Sequence, residues 1–288
     1  MWYLVANTAH NLEVRGMNTG FGFIKSSAGF DIDFRLIDYS PGVGTYGLIF
    51  LIGAMNTLFV SFLAIIVSTA LGFFIGVLRL SNNWLVSKVA LAFVEIFRNT
   101  PLLIQIVFWY IGVFSLLPAV KKTIDISLGA KMFLLNNRGL YVATPIMGGL
   151  FWMTLLAVGA ALVGVFLLRR KARKLQERTG QQTKTLLPSL ALVLLVPSAV
   201  FVLTGMPLSW DMPTLQGFNF AGGTSVPPAF LALLVSLSIY HAAQIAEAVR
   251  AGILSVNKGQ NEAALSIGLK PSRIMAMVVI PQAMPAIV

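Results

Sequence analysis

Read along its length, the chain alternates long apolar runs with short charged connections. Charged residues are missing from 39–78, 99–120, 139–168, 185–210 and 212–246. Each interval contains an apolar run near the ~20 residues that cross a bilayer as a helix. Five spans are therefore predicted: Leu48 to Leu78, Pro101 to Leu117, Met147 to Leu168, Leu186 to Leu203, and Ala229 to about Val249. Glycine and proline inside these runs are compatible with helices, because neighbouring helices satisfy the backbone groups that a kink frees. The first run is longer than the hydrocarbon requires, and a mixed segment, Trp84 to Asn99, precedes the second, so projection or tilt is expected. The fold class that follows is all-α, a polytopic bundle of transmembrane helices.

Composition agrees: 57% of residues are hydrophobic and 11% are charged, the profile of a membrane protein rather than of a globular domain. A formal charge of +11 must then be read by position. Arg169, Arg170, Lys171, Arg173, Lys174, Arg178 and Lys184, offset only by Glu177, mark a cytoplasmic loop by the excess of positive charge. No aromatic residues interleave this run, so topology rather than nucleic-acid binding is its expected role. Counting spans outward puts residues 79–88 and everything after the fifth span in the cytoplasm, with 1–47, 118–146 and 204–228 outside. Lys121, Lys122, Lys131 and Arg138 make the second outer loop less clean than the rule prefers. The chain has no cysteine, which excludes disulfides, thiolate nucleophiles and cysteine metal sites.

Near the end lies NEAALSIGLKPSRIMAMVVIP, residues 261–281. Gln260 to Ile267 suit about two helical turns, Gly268 suits a left-handed C-terminal cap, and Pro271 suits the first turn of a second helix. So short a helix is marginal by itself in water and must pack on something. Ala263, Ala264 and Ile267 offer a small apolar face for a groove on another protein, and the alternative is a loop lying against its own bundle.

At these residues the chain resembles a known family. Glu262, Ala263, Ala264, then Gly268, then Val278, Val279, Ile280 and Pro281 are similar to the EAA signature of ABC-importer permeases, with Val278 and Ile280 as apolar replacements for the usual isoleucine and leucine. Residues 95–103, EIFRNTPLL, and 246–253, AEAVRAGI, resemble signatures of the branch that imports polar amino acids. The outer loop WDMPTLQGFNFAGG, 210–223, and the extra pair of spans at 147–204 are similar to the general L-amino-acid type. The resemblance covers the chain from about Tyr46 onward. It implies a type I importer transmembrane domain over 48–288, with 147–204 as an inserted hairpin, 250–281 as the cytoplasmic coupling loop and 1–47 as a periplasmic segment. It also implies a multi-pass protein of the bacterial inner membrane.

The partners implied by the resemblance are cytosolic ATPase subunits docking at Glu262, Ala263, Ala264, Ile267, Gly268 and Pro281. A second permease subunit, a paralogue by family precedent, and a periplasmic amino-acid-binding protein complete the set, with membrane lipid around the spans. The resemblance implies further spans after Pro281, so the chain ending at Val288 reads as truncated. MWYLV at the start likewise resembles the tail of an earlier span.

Glu95 and Arg98 are three apart on one helix, as are Glu247 and Arg250, which lets each pair neutralise itself at the membrane edge. With Asn99 and Pro101 they are gate or coupling candidates, or else they stabilise helix ends. Pro101 disfavours helical geometry at Thr100, so a kink is expected between Arg98 and Leu102. In the fifth span Ser236, Tyr240, Gln244 and Glu247 fall in a stripe ~80° wide. Ser236, Tyr240 and Gln244 either line a pathway or join helices by hydrogen bonds. Asn56, Thr57, Ser61 and Gln105 read as packing groups, and His241, off the stripe, as an interhelical hydrogen-bonding group.

No Gly-Lys dipeptide occurs, which rules out a Walker A phosphate loop. Neither a metal-ligand cluster nor a cofactor motif is seen, so the chain reads as a transport subunit powered by a partner, not as an enzyme. The rival classes are a secondary transporter or channel subunit not coupled to an ATPase, and a structural membrane subunit. No inverted repeats support the former. The residues do not encode which amino acids cross.

Overall fold

The computed structural model describes residues 2–15, 20–180 and 184–287. Its helices are α1 (Trp2–Val14), α2 (Tyr46–Leu78), α3 (Trp84–Asn99), α4 (Leu102–Val107), α5 (Phe151–Thr179), α6 (Leu186–Leu203), α7 (Pro228–Ser255), α8 (Lys258–Ser266), α9 (Pro271–Ile274) and α10 (Ile280–Ile287). Among the described residues four, α2, α5, α6 and α7, are long and apolar enough to cross a membrane. A fifth crossing exists if α3 and the helical stretch Leu102–Leu116, bent by 104° at Pro101, count as one broken span. The chain divides into two compact units. One comprises Met1–Lys122, Leu135–Leu140 and Ser225–Val288, the other Thr123–Leu134 and Tyr141–Thr224.

The first unit is organised by α2 and α7. The buried positions of α2 include Val60, Ala64, Ser68, Gly72 and Gly76, four apart, and those of α7 include Ala242, Ala243, Ala246 and Val249. Small residues at that spacing let two backbones approach closely where lipid supplies no hydrophobic drive to join them. At Gly72 an added Cβ would lie 2.7 Å from the Ala242 carbonyl oxygen, and at Gly76 2.8 Å from that of Ala246. The two glycines are thus the closest fit in the seam. Ala90 and Val94 of α3 pack with Ile75 and Ala246, so α3 joins the bundle through one apolar side.

Pro101 produces the expected break, and it is a sharp bend rather than a mild kink. Thr100 is extended (φ −91°, ψ 125°), as the residue before proline prefers. The buried Gln105 amide donates to the carbonyls of Phe97 at 2.8 Å and Thr100 at 3.0 Å, two acceptors near the break. Beyond α4 the helix widens into a π-turn over Phe108–Val113 and tightens over Phe114–Leu116. At the other end of the unit, Phe34 packs on Phe230 of α7 with ring centroids 4.4 Å apart. The Phe34 carbonyl accepts from Asn56 Nδ2 at 2.6 Å, which fixes the segment before α2 on the ends of α2 and α7.

In the second unit α5 and α6 form a hairpin. Thr154, Ala157 and Ala161 are buried along α5, and Gly164 faces Leu192. The span expected from Met147 begins instead at Phe151, because Thr144–Met147 pairs antiparallel with Leu208–Asp211, Thr144 opposite Asp211. It also runs on to Thr179, since Arg, Lys, Leu, Gln and Glu are good helix formers and Arg173 pairs with Glu177 at 3.8 Å. Gly180, at φ 72°, ends it. A second short hairpin pairs Thr214–Gln216 with Asn219–Ala221. Asp125 organises the turn that follows it: its carboxylate accepts from the Ser127 hydroxyl and from the backbone N–H groups of Ser127, Gly129 and Lys131. The Ser127 hydroxyl first, and then those N–H groups, hold the carboxyl below the usual carboxylate value.

Candidate functional site

The site is built at one end of α7. Its last residues lead through the extended Val256 to Asn257, whose side chain caps α8 by accepting from Gly259 N at 2.9 Å. The helix expected over 260–267 runs over Lys258–Ser266 and closes as the glycine predicts. Gly268 sits at φ 80°, its N–H reaches the Leu265 carbonyl at 2.9 Å, and that of Leu269 reaches Ala264 at 3.2 Å. These are the two bonds of a Schellman cap. A Cβ at Gly268 meets open space, so a larger residue there carries only the left-handed conformational cost of ~1–2 kcal/mol.

The apolar face expected of this helix divides between two directions. Ala264 is buried and packs in one cluster with Val249 and Ile253 of α7, Ile274, Val279, and Ala283 of α10. Ala263 and Glu262 are exposed, and Ile267 is 75% exposed. Ala264 therefore does not share an outward face with Ala263. It fastens α8 to its own bundle, which supplies the packing that so short a helix needs. Pro271 opens α9 at its first position, Gly252 lets Ile287 and Ala283 of α10 come close to α7, and Pro281 is exposed on the first turn of α10.

About two turns before the end of α7, the Glu247 carboxylate joins two arginines. Arg250 reaches Oε1 through Nε at 3.3 Å, the pair expected from their spacing. Arg79, at the end of α2, bonds Oε2 through Nη1. The Arg79 side chain is 11% exposed and that of Glu247 28%. Arg79 therefore depends on this carboxylate, because a buried charge without a partner is costly. The cluster ties the end of α2 to α7 directly after the glycine seam. Glu95 and Arg98, by contrast, are both exposed on α3 and form no ion pair with each other. Their three-residue spacing permits a contact that two solvated side chains do not need. Asn99 is the exposed last residue of α3, and Pro101 stands at the bend.

Further along the seam, α2 and α7 enclose an open cleft of about 350 Å³ lined by Ser61, Ala64, Ile65, Ser68, Thr69, Leu237, His241 and Ile245. On α7 the cleft thus follows 237, 241 and 245, one position round from the stripe expected at 236, 240 and 244. Ser236 is fully buried and its hydroxyl donates to the Ala232 carbonyl at 2.6 Å, so it does not reach the cleft. Tyr240 and Gln244 are half-buried, and the Tyr240 ring meets the His241 ring edge to face at 5.3 Å. His241, expected to bond between helices, is exposed at the cleft instead. Three further polar participants, Arg79, Ser68 and Thr69, escaped the sequence reading. The signal for Arg79 was its place three residues after Gly76 on the seam side of α2. Among the described residues no group of three or more His, Asp or Glu side chains is placed to hold a metal.

The family model described as "Binding-protein-dependent transport system inner membrane component" matches residues 177–288. The chain is 42% identical to the General L-amino acid transport system permease protein AapQ of Rhizobium johnstonii, over 100% of this chain and 71% of that protein. It is 43% identical to the Putative amino-acid ABC transporter permease protein YhdX of Escherichia coli, over 99% and 72%. A solved structure, "Crystal structure of an amino acid ABC transporter with histidines", aligns at TM-score 0.41 and 22% identity, over 84% of this chain and 63% of that one. Identity of 42% and 43% to these two permeases over essentially the whole chain leads to one assignment: the chain belongs to the amino-acid ABC transporter permeases and is a multi-pass protein of the bacterial inner membrane.

Proposed function

We propose that the chain forms part of the membrane pathway of an ATP-driven amino-acid importer and takes up the work of ATP hydrolysis through α8. The observation that carries this reading is the division of α8 between an inner and an outer side. Ala264 is locked in the bundle, while Glu262, Ala263 and Ile267 are presented outward from a helix capped at both ends. A cytosolic ATPase subunit gripping the outer side moves α9, α10 and α7 with it, because the buried cluster links them. The Glu247 cluster passes that displacement to α2, and the cleft between α2 and α7 changes width. In a two-state bundle this is alternating access.

In this reading residues 48–288 are the transmembrane domain, 147–204 an inserted hairpin, 250–281 the coupling loop and 1–47 a periplasmic segment. Glu95, Arg98, Asn99 and Pro101 belong to the gate region around the bend, Gly268 and Pro281 shape the docking surface, and Tyr240 and Gln244 border the pathway beside His241. The other partners are a second permease subunit, a paralogue, and a periplasmic amino-acid-binding protein. Support for the substrate class comes from the relatives, whose names specify amino acids.

The test is a pair of exposed substitutions, Ala263→Asp and Ile267→Asp, in the assembled complex. Neither disturbs a buried contact, so thermal stability of the isolated chain should stay at the wild-type level. Burying an unpaired carboxylate at an interface centre costs ~2 kcal/mol or more, so co-purification of the ATPase should fall at least tenfold. Full retention of the ATPase by both variants defeats the proposal.

A further inference from the structure

Between the ends of α5 and α6 lies an open pocket of about 250 Å³, lined by Leu168, Lys171, Ala172, Leu175, Lys184 and Pro188, with Thr185 between the last two. We propose that it holds the headgroup of an anionic phospholipid of the cytoplasmic leaflet. This inference does not depend on the importer reading, only on α5 and α6 crossing the membrane.

The level of the pocket is the first argument. From Phe151 to Leu168 the helix carries no charge and is ~27 Å long at 1.5 Å per residue, close to the ~30 Å hydrocarbon thickness. Lys171 stands one turn beyond that boundary, and Lys184 stands just before the apolar run of α6, so both lie at headgroup depth. The basic run marks this side as cytoplasmic, where anionic lipids give the surface its negative potential.

The chemistry of the lining is the second. Leu168, Ala172, Leu175 and Pro188 form an apolar wall suited to a glycerol backbone and the start of an acyl chain, and Lys171 and Lys184 complete the lining with two positive charges for a phosphodiester at its edge. Glu177 is the one acidic residue between Arg169 and Lys184, and it pairs with Arg173. Among the described residues neither Lys171 nor Lys184 has a carboxylate within ion-pair distance. A purely topological role for the basic run would need no concave site. Here Lys171 of α5 and Lys184, two residues before α6, both line one, whereas Arg170 and Lys174, turned ~150° and ~110° from the middle of the lining face by helical spacing, do not.

The full chain, delipidated in detergent and titrated with phosphatidylglycerol or phosphatidylcholine, provides the test by native mass spectrometry. Phosphatidylglycerol should be retained in preference to phosphatidylcholine. Retention should drop roughly tenfold or more in K171Q/K184Q, given the contribution of each surface lysine to anionic-lipid binding. R170Q/K174Q, with the same change in net charge, should retain it as wild type does, and inorganic phosphate should not displace it. Equal loss in the two double variants, no loss in K171Q/K184Q, no lipid preference, or displacement by phosphate would each overturn the proposal.

Discussion

Glu247→Ala lowers the thermal stability of the detergent-solubilised chain and abolishes transport in reconstituted vesicles. The cause is Arg79, whose side chain is only 11% exposed and loses its ion-pair partner. Removing one member of a fully buried pair costs ~3–5 kcal/mol. Partial exposure of Glu247 and Arg250, 28% and 33%, lets water screen part of this, so a loss of roughly 2 kcal/mol is expected. Arg79→Met combined with Glu247→Met should be less damaging than the two single changes added together, since it leaves only the more exposed Arg250 without its acid. Wild-type melting and transport in Glu247→Ala would show that the cluster merely decorates the helix ends.

The second large effect is a contrast of sign between two glycines of α2. Gly53→Ala should be neutral or stabilise by up to ~1 kcal/mol, because a Cβ there meets nothing within 4 Å and alanine favours the helix. Gly76→Ala should destabilise by ~1–3 kcal/mol, because its Cβ would lie 2.8 Å from the Ala246 carbonyl oxygen, which is backbone and cannot rotate away. Unfolding in a denaturing detergent titration reads both. If the two substitutions behave alike, α2 and α7 do not meet at this seam, and the cleft beside it has no basis.

Much of this was legible in the sequence because it depends on local chemistry. The apolar runs gave α6 its observed bounds, and Gly268 and Pro271 punctuated the α8 region as their backbone preferences require. Pro101 announced the bend, although not its angle of 104°, which depends on what α3 and α4 each pack against. The parts that were not legible are long-range. Arg79 and Glu247 are 168 positions apart, and nothing in the spacing of either helix pairs them. The α7 side of the cleft, at 237, 241 and 245, lies one position round from the polar stripe at 236, 240 and 244, because polarity marks a stripe without saying what it faces, and Ser236 satisfies its hydroxyl on its own helix. The strands at Thr144–Met147 and Leu208–Asp211 were hidden for the same reason: each is short, and only the other makes it a strand.

The absence of cysteine from the chain makes single-cysteine mapping the most direct measurement of the central claim, that the outer side of α8 seats in an ATPase subunit while the inner side holds it to the bundle. Cysteines placed at 263, 264 and 267 would be labelled with a water-soluble maleimide, with and without the co-purified ATPase. The account predicts rapid labelling at 263 and 267 in the isolated chain, protection of both in the complex, and slow labelling at 264 in either state. Unchanged labelling of 263 and 267 on assembly, or labelling of 264 as fast as its neighbours, would contradict it.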